Sequence, residues 1–264
     1  MNAGLLGAGH IARALAEGWH RASEASGPGP ILHVYDPRAS SSATLAAEFG
    51  ARVCSSPAEL VAACDVVVLA MRPPDVAAAL REVAPALQGR SLVSLAAAVP
   101  LADLRAGLAP GAAVARVMPN VAAAIGRGVF LFVVGTLSAE QAATVRALFE
   151  LAGTVVEVPE SLFDAATAVA GCGPGFTALF IEALAEAGVA NGIDETMARD
   201  LAIAAVAGSA DLVAREGDPV AVRTAIATPG GMTAAGVDVL EARGTREAIA
   251  EAVAAAIARA RPTP

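Results

Sequence analysis

The chain has 264 residues, 56% of them apolar, and a formal net charge of −8. That length allows one large domain or two modest ones with a substantial core, and the acidic balance argues against nucleic acid or an anionic membrane as partner. All 18 basic residues are arginine; the absence of lysine excludes a Walker A loop, a Schiff-base lysine, a Tyr-x-x-x-Lys pair and the catalytic lysine of 6-phosphogluconate-type dehydrogenases.

The opening run Met1–Leu6 is short and apolar and leads into Gly7-Ala8-Gly9-His10-Ile11-Ala12. This is G-x-G-x-x-A between a buried strand and a helix, the pattern of a dinucleotide-binding turn. The first glycine allows the bend, the second lets backbone approach a pyrophosphate, and the small third position lets the helix pack close to the strand. The phosphates then meet free N–H groups at the positive end of the helix dipole. The strand begins with the first residues, so no signal or transit peptide is expected.

The first helix spans Ile11–Ser23 and breaks at Gly27-Pro28-Gly29-Pro30. A second strand, Ile31–Tyr35, ends in Asp36-Pro37-Arg38. An acid at this position commonly takes the ribose hydroxyls of NAD, whereas Arg38 with Ser40, Ser41 and Ser42 suits a 2′-phosphate. The two readings conflict, and NADH and NADPH both remain open. A helix follows over Ser42–Phe49, a brief strand at Val53, a helix from Ser56-Pro57, and a strand over Asp65–Met71. Further strands are expected at Ser91–Leu95, Ala113–Val117, Val129–Val134 and Thr154–Val158. The helix Ser138–Leu151 carries a capping-box pattern, with Ser138 as N-cap and Gln141 three residues on. This βαβ rhythm predicts a parallel doubly wound sheet, a Rossmann-type dinucleotide-binding domain over residues 1–159.

Three strand ends fall on the carboxyl edge of such a sheet: Met71-Arg72-Pro73-Pro74, Ser94-Leu95-Ala96-Ala97-Ala98 and Met118-Pro119-Asn120. Each is an ordinary turn by itself. Together they outline a cleft for a nicotinamide ring.

From Leu162 onward no strand is expected, only Ala-rich amphipathic helices. Residues 160–264 form an all-helical second domain whose apolar faces mark a homodimer or higher homo-oligomer interface. No apolar stretch is read as long enough to span a bilayer; Val66–Ala70 is a buried strand. Cys54, Cys64 and Cys172 are scattered and lack metal-ligand spacing, so no metal site is expected, and reduced thiols point to a cytoplasmic protein.

The second half has one anion-binding pattern, Ala227-Thr228-Pro229-Gly230-Gly231-Met232-Thr233. Two glycines after a proline and before a helix present N–H groups in one direction, with the Thr228 and Thr233 hydroxyls beside them. The alternative is a helix-to-helix turn capped by Thr233. Gly171-Cys172-Gly173-Pro174-Gly175 is too glycine-rich for an ordinary helix interior. The histidines, His10, His20 and His33, all lie within the nucleotide half, and the one tyrosine is Tyr35. The second half therefore offers carboxylates, hydroxyls, arginines and backbone, a poor set for protonating an alkoxide.

Taken in order, the motifs resemble the Δ1-pyrroline-5-carboxylate reductase family. Gly7–Ala14 with Glu17-Gly18 is similar to that family's G-x-G-N-M-A…G, Met71-Arg72-Pro73 to V-K-P, and Ser94–Ala97 to S-I-A-A. Met118-Pro119-Asn120…Gly126-Arg127-Gly128 is similar to M-P-N-T-P…G-x-G. Gly171-Cys172-Gly173-Pro174…Glu182-Ala183…Gly188-Val189…Gly192 follows G-S-G-P-A-Y…E-A…G-V…G. Thr228–Thr233 follows S-P-G-G-x-T.

The resemblance implies reduction of 1-pyrroline-5-carboxylate to L-proline with NADH or NADPH, in an interlocked homodimer. It implies cofactor contacts at Gly7, Gly9, His10, Ile11, Ala12, Asp36, Arg38, Met71, Arg72, Pro73, Ala96 and Asn120. Substrate contacts fall at Gly230, Gly231, Met232, Thr233 and Cys172, with Thr233 and Thr228 the hydroxyls at the reacting centre. The substrate is a cyclic imine that carries its own proton, which accounts for the absent lysine and histidine acids. This chain departs from the family pattern at His10 (Asn), Arg72 (Lys), Ala98 (Gly), Val121-Ala122 (Thr-Pro), Cys172 (Ser) and Gly175-Phe176 (Ala-Tyr). A relative acting on another cyclic imine or small carboxylate, or a non-catalytic nucleotide-binding sensor, is the alternative.

Overall fold

The computed structural model describes residues 1–260. Two compact units divide the chain, one comprising Met1–Cys172 with the end of the last helix from Ile257, the other Gly173–Ala256.

The first unit alternates strands and helices as its hydrophobic runs dictate: β1 (Asn2–Leu6), α1 (His10–Ser26), β2 (Ile31–Tyr35), α2 (Ala39–Phe49), β3 (Arg52–Val53), α3 (Pro57–Ala63) and β4 (Val66–Leu69). There follow α4 (Pro73–Val83), β5 (Ser91–Ser94), α5 (Leu101–Ala106), β6 (Ala113–Met118), β7 (Gly128–Val133), α6 (Ala139–Glu150), β8 (Gly153–Glu157) and α7 (Phe163–Ala170). The eight strands form one sheet in the order β3-β2-β1-β4-β5-β6-β7-β8.

Central strands such as β4 and β5 are buried along their whole length, because helices cover both faces of a parallel sheet. One face rests on a cluster including Leu5, Leu15, Trp19, Phe130, Phe132 and Phe149. The other rests on Leu6, Leu60, Val67, Leu69, Leu80 and Leu104.

The expectation of a wholly parallel sheet needs one correction. β6 and β7 pair antiparallel. The nine residues 119–127 between them hold one 3-10 turn, Val121–Ile125, too little for the crossover of a dozen or more residues that parallel neighbours need. All other pairs are parallel. The capping box at Ser138 and Gln141 forms with both bonds present.

The first unit extends to Cys172. α7 stays on the sheet because Phe163, 2% exposed, packs with Leu131 and Val133 of β7.

The second unit is helical throughout its elements: α8 (Gly173–Ala190), α9 (Glu195–Glu216), α10 (Pro219–Ile226), α11 (Met232–Ala242) and most of α12 (Thr245–Ala260). Only a two-residue turn at Gly171-Cys172 interrupts the chain between α7 and α8. Gly173, Pro174 and Gly175 form the first turn of α8, where a proline gives up an N–H that has no intrahelical partner. This continuity also corrects the reading of membrane-spanning length. Glu160–Ala190 contains an 18-residue window of mean hydropathy 1.5, long and apolar enough to cross a bilayer by length and composition alone.

The exposed apolar side chains of this unit are numerous. Leu179 is 65% exposed, Phe180 50%, Leu184 42% and Leu201 55%. A single copy buries almost none of α8.

Candidate active site

The strand order reverses between β1 and β4, the switch point where the carboxyl ends of strands open a crevice. The turn after β1 lies against this point. Gly7 has φ +106°, and a Cβ on it would stand 2.5 Å from the Ala70 carbonyl oxygen just beyond β4, so only glycine fits. Its N–H donates to the Tyr35 carbonyl at 2.8 Å, fixing the turn to the end of β2.

Gly9 behaves differently. Its backbone is extended (φ −80°) and it caps α1, yet a Cβ there would meet no protein atom within 4 Å. That open space leaves the turn's backbone accessible to a ligand. The N–H groups of His10, Ile11 and Ala12 begin α1 and have no carbonyl within the helix to bond. No acid sits in that first turn to occupy the dipole end. Ala12 is fully buried in the core, and His10 is exposed. An anion of the pyrophosphate class fits this cradle.

Asp36 and Arg38 come together at the same rim. Asp36 Oδ2 accepts the N–H of Ala8 at 2.9 Å, and its Oδ1 accepts the backbone N–H of Arg38 at 2.9 Å and Arg38 Nε at 3.4 Å. The Asp36 side chain is 8% exposed and that of Arg38 74%. A hollow of about 200 Å³ beside them is lined by Ala8, Arg13, Ser41, Thr44, Leu45 and Glu48.

Further along the carboxyl edge, Arg72 caps α4 and is solvent-exposed, its Nε 3.3 Å from Asp75 Oδ2. Pro73 opens α4, the position where its missing N–H costs nothing. Met71 is half-buried. The Ala96 methyl is buried in the core below the sheet edge, so the surface at this strand end is that of Ala97 and Ala98. The Asn120 side chain turns inward: Nδ2 donates to the Ala170 carbonyl at 3.0 Å and Oδ1 accepts from Val129 N–H at 3.2 Å. It ties β6, β7 and α7 together, leaving its amide committed to protein.

In the second unit the turn 227–231 joins α10 to α11. Gly230 has φ +76°, the left-handed region that disfavours a side chain. Gly231 N–H donates to the Thr228 carbonyl at 2.9 Å, closing the turn. Gly231, rather than Thr233, is the N-cap of α11, without any side-chain cap. The N–H groups of Met232 and Thr233 therefore open a helix with no intrahelical partner. Thr228 and Thr233 are exposed, and Met232 is 94% exposed. Cys172 is a half-buried free thiol in the first unit, at the turn between α7 and α8.

Beyond His10 at the glycine turn, the histidines are His20 within α1 and His33. His33 is interior to β2, its Nε2 3.4 Å from Asn2 Oδ1. Burial, then the nearby Arg52, pushes its pKa down, with Glu59 opposing. Burial pushes the Cys64 thiol up to about 12 and raises that of Cys54, so neither is a ready thiolate nucleophile.

Sequence reasoning passed over Arg116. It is 4% exposed inside β6, its Nη1 donating to Glu160 Oε1 and its Nη2 to the Ala97 carbonyl at 2.6 Å. A lone arginine in the run Ala113-Val114-Ala115-Arg116-Val117 was the available signal, since a buried charge requires a partner.

Comparison with known proteins also matches the two parts of the chain separately. Residues 2–98 match the family described as NADP oxidoreductase, coenzyme F420-dependent. Residues 160–263 match pyrroline-5-carboxylate reductase dimerisation. The pyrroline-5-carboxylate reductase of Methanosarcina acetivorans is 34% identical over 98% of this chain and 96% of its own. That of Synechocystis is 40% identical over 74% and 73%. Among solved structures, a pyrroline-5-carboxylate reductase from Coxiella burnetii superposes with a TM-score of 0.90 at 26% identity, covering 99% of both chains. A Plasmodium falciparum pyrroline carboxylate reductase with NADP bound gives 0.84 at 28%, covering 99% of this chain and 97% of the other. With a glycine turn at the sheet's switch point, a Pro-Gly-Gly turn opening α11 and near full-length relatives above 30% identity, this chain belongs to the pyrroline-5-carboxylate reductase family.

Proposed function

We propose that the chain reduces 1-pyrroline-5-carboxylate to L-proline with NAD(P)H, and that its two anion-binding turns divide the work. The observation that carries this assignment is the pair of turns themselves. Each presents helix-opening N–H groups without intrahelical partners, one at His10–Ala12 and the other at Met232–Thr233. The first takes the cofactor pyrophosphate, and the second takes the substrate carboxylate.

Bound NAD(P)H supplies a hydride, which reaches the C=N carbon from nicotinamide C4. The protein's contribution is orientation and charge placement. Gly230 bends the Pro229–Thr233 turn so that its N–H groups converge on the carboxylate. The Thr233 hydroxyl hydrogen-bonds the ring nitrogen, with Thr228 beside it. The substrate enters as an iminium, already carrying the proton that the amine product keeps, so no side chain needs to act as an acid. Arg72, exposed at the end of β4, adds positive charge to the cofactor edge without the bidentate partner that would fix it elsewhere.

The apolar faces of α8 and α9 serve as the interface of a homodimer, which the dimerisation-family match supports. That same burial accounts for the membrane-length stretch at Glu160–Ala190. The free thiols of Cys54, Cys64 and Cys172 are consistent with a reducing, cytoplasmic setting.

The test is steady-state oxidation of NADH and NADPH with racemic pyrroline-5-carboxylate, with Thr233→Ala and Gly9→Val as controls. Activity lost in both variants, with cofactor binding lost only in Gly9→Val, supports the division of roles. A fully active Thr233→Ala overturns the substrate assignment.

A further inference from the structure

The loop Ala96-Ala97-Ala98-Val99-Pro100 leaves β5 at the cofactor edge with no long side chain of its own to hold it. What holds it comes from elsewhere in the first unit. Arg116, paired in register with Ser94 of β5 and Val133 of β7, reaches over to donate from Nη2 to the Ala97 carbonyl at 2.6 Å. Its Nη1 donates to Glu160 Oε1, and the same oxygen accepts the N–H of Leu101 at 2.9 Å. The two ends of the segment 97–101 are thus tied to one ion pair. The guanidinium carbon lies 3.9 Å from the Phe163 ring centroid, so stacking also sets the plane of the fork. Ser94 Oγ accepts the Ala96 N–H at 3.3 Å, bending the chain as it enters the loop.

The Arg116 side chain is 4% exposed and that of Glu160 36%; burying one member of an ion pair is a poor device for stability alone, because an apolar side chain of similar volume commonly serves as well. Here the pair grips backbone at a strand end that borders the switch-point crevice. We propose that Arg116 is a positioning residue: with Glu160 it fixes the Ala97–Leu101 loop and thereby sets the surface on which the nicotinamide ring lies. This inference rests on the cofactor site described above. Arg116 acts through Ala97 and need not touch the cofactor.

The test uses the full chain with Arg116→Lys, the double variant Arg116→Met/Glu160→Gln, and Leu148→Ala as a control for destabilisation alone. The double variant leaves no orphaned buried charge, and the amide oxygen that replaces the Glu160 carboxylate can still accept the Leu101 N–H, so it folds even where the single change fails. Three quantities are read: the NADPH Kd by fluorescence titration, KM and kcat, and the kinetic isotope effect with NADPH deuterated at the transferred position. The expected result is a rise of about tenfold in Kd and KM(NADPH) for both Arg116 variants, with a larger isotope effect on kcat as hydride transfer becomes slower. Leu148→Ala lowers Tm with neither change. Wild-type Kd and isotope effect in the folded double variant, or the same kinetic losses in Leu148→Ala, overturns the proposal. Because Kd is measured without substrate, an error in the substrate assignment leaves this result readable.

Discussion

The backbone N–H of Ala8 donates to Asp36 Oδ2 at 2.9 Å, so the carboxylate at the end of β2 is a strut of the glycine turn it faces. Its other oxygen holds Arg38. Little of that side chain is open to a ribose, while the Arg38 side chain is 74% exposed, two residues before Ser40 in the chain. The expected outcome is a preference for NADPH of about tenfold in kcat/KM, roughly 1.4 kcal/mol. Arg38→Ala abolishes the preference by weakening NADPH while NADH turnover is unchanged. A wild-type enzyme that favours NADH, with Arg38→Ala silent, contradicts this.

Gly7 and Gly9 separate a folding requirement from a binding one. A methyl at Gly7 collides with the Ala70 carbonyl and needs a positive φ, whereas one at Gly9 enters open space. Gly7→Ala is expected to cost several kcal/mol, roughly the upper range for single substitutions at a strained backbone position. Gly9→Ala stays within about 1 kcal/mol of wild type, the scale of an N-cap change, yet weakens cofactor binding. Thermal unfolding alongside nucleotide titration distinguishes the two.

At the second turn, Thr233→Ala is expected to lower kcat/KM about 10- to 100-fold with the cofactor KM unchanged, and Thr233→Ser to restore most of it. Gly230→Ala, strained at φ +76°, raises the substrate KM. Initial rates with substrate varied at saturating NADPH, and with NADPH varied at saturating substrate, read these effects.

The exposed faces of α8 and α9 predict an obligate assembly. Leu179→Glu places a charge where a partner's apolar surface is expected, and sedimentation should show dissociation together with loss of activity. A monomeric and fully active wild type contradicts the interface.

His33 gives the stability a pH dependence of known sign. Its folded pKa lies below the unfolded value of about 6.5, so the neutral form is favoured in the fold. Its contribution is complete above about pH 6.5 and is lost as the pH falls from there through the folded pKa. His33→Gln should flatten the fall in Tm over that window relative to wild type.

Much of this was legible in the residues. Strand Ile31–Tyr35 has its expected bounds because Gly-Pro punctuation precedes it and Asp36-Pro37 follows. The glycine turn, the capping box at Ser138 and the helical second half were equally plain, each resting on local chemistry. Non-local geometry was not legible. The antiparallel β7 follows from the shortness of residues 119–127, which a rhythm of strands and helices does not reveal. The inward-turned amide of Asn120 and the buried methyl of Ala96 depend on which way a strand end faces. Arg116 was missed because its partners, Ala97 and Glu160, are 19 and 44 residues away.

The most direct measurement follows cofactor absorbance with purified protein, racemic pyrroline-5-carboxylate, and NADH and NADPH in separate reactions, with proline quantified at the end. The account predicts substrate-dependent oxidation with one proline formed per cofactor consumed, faster with NADPH. Tight nucleotide binding with no oxidation and no proline from either cofactor contradicts it.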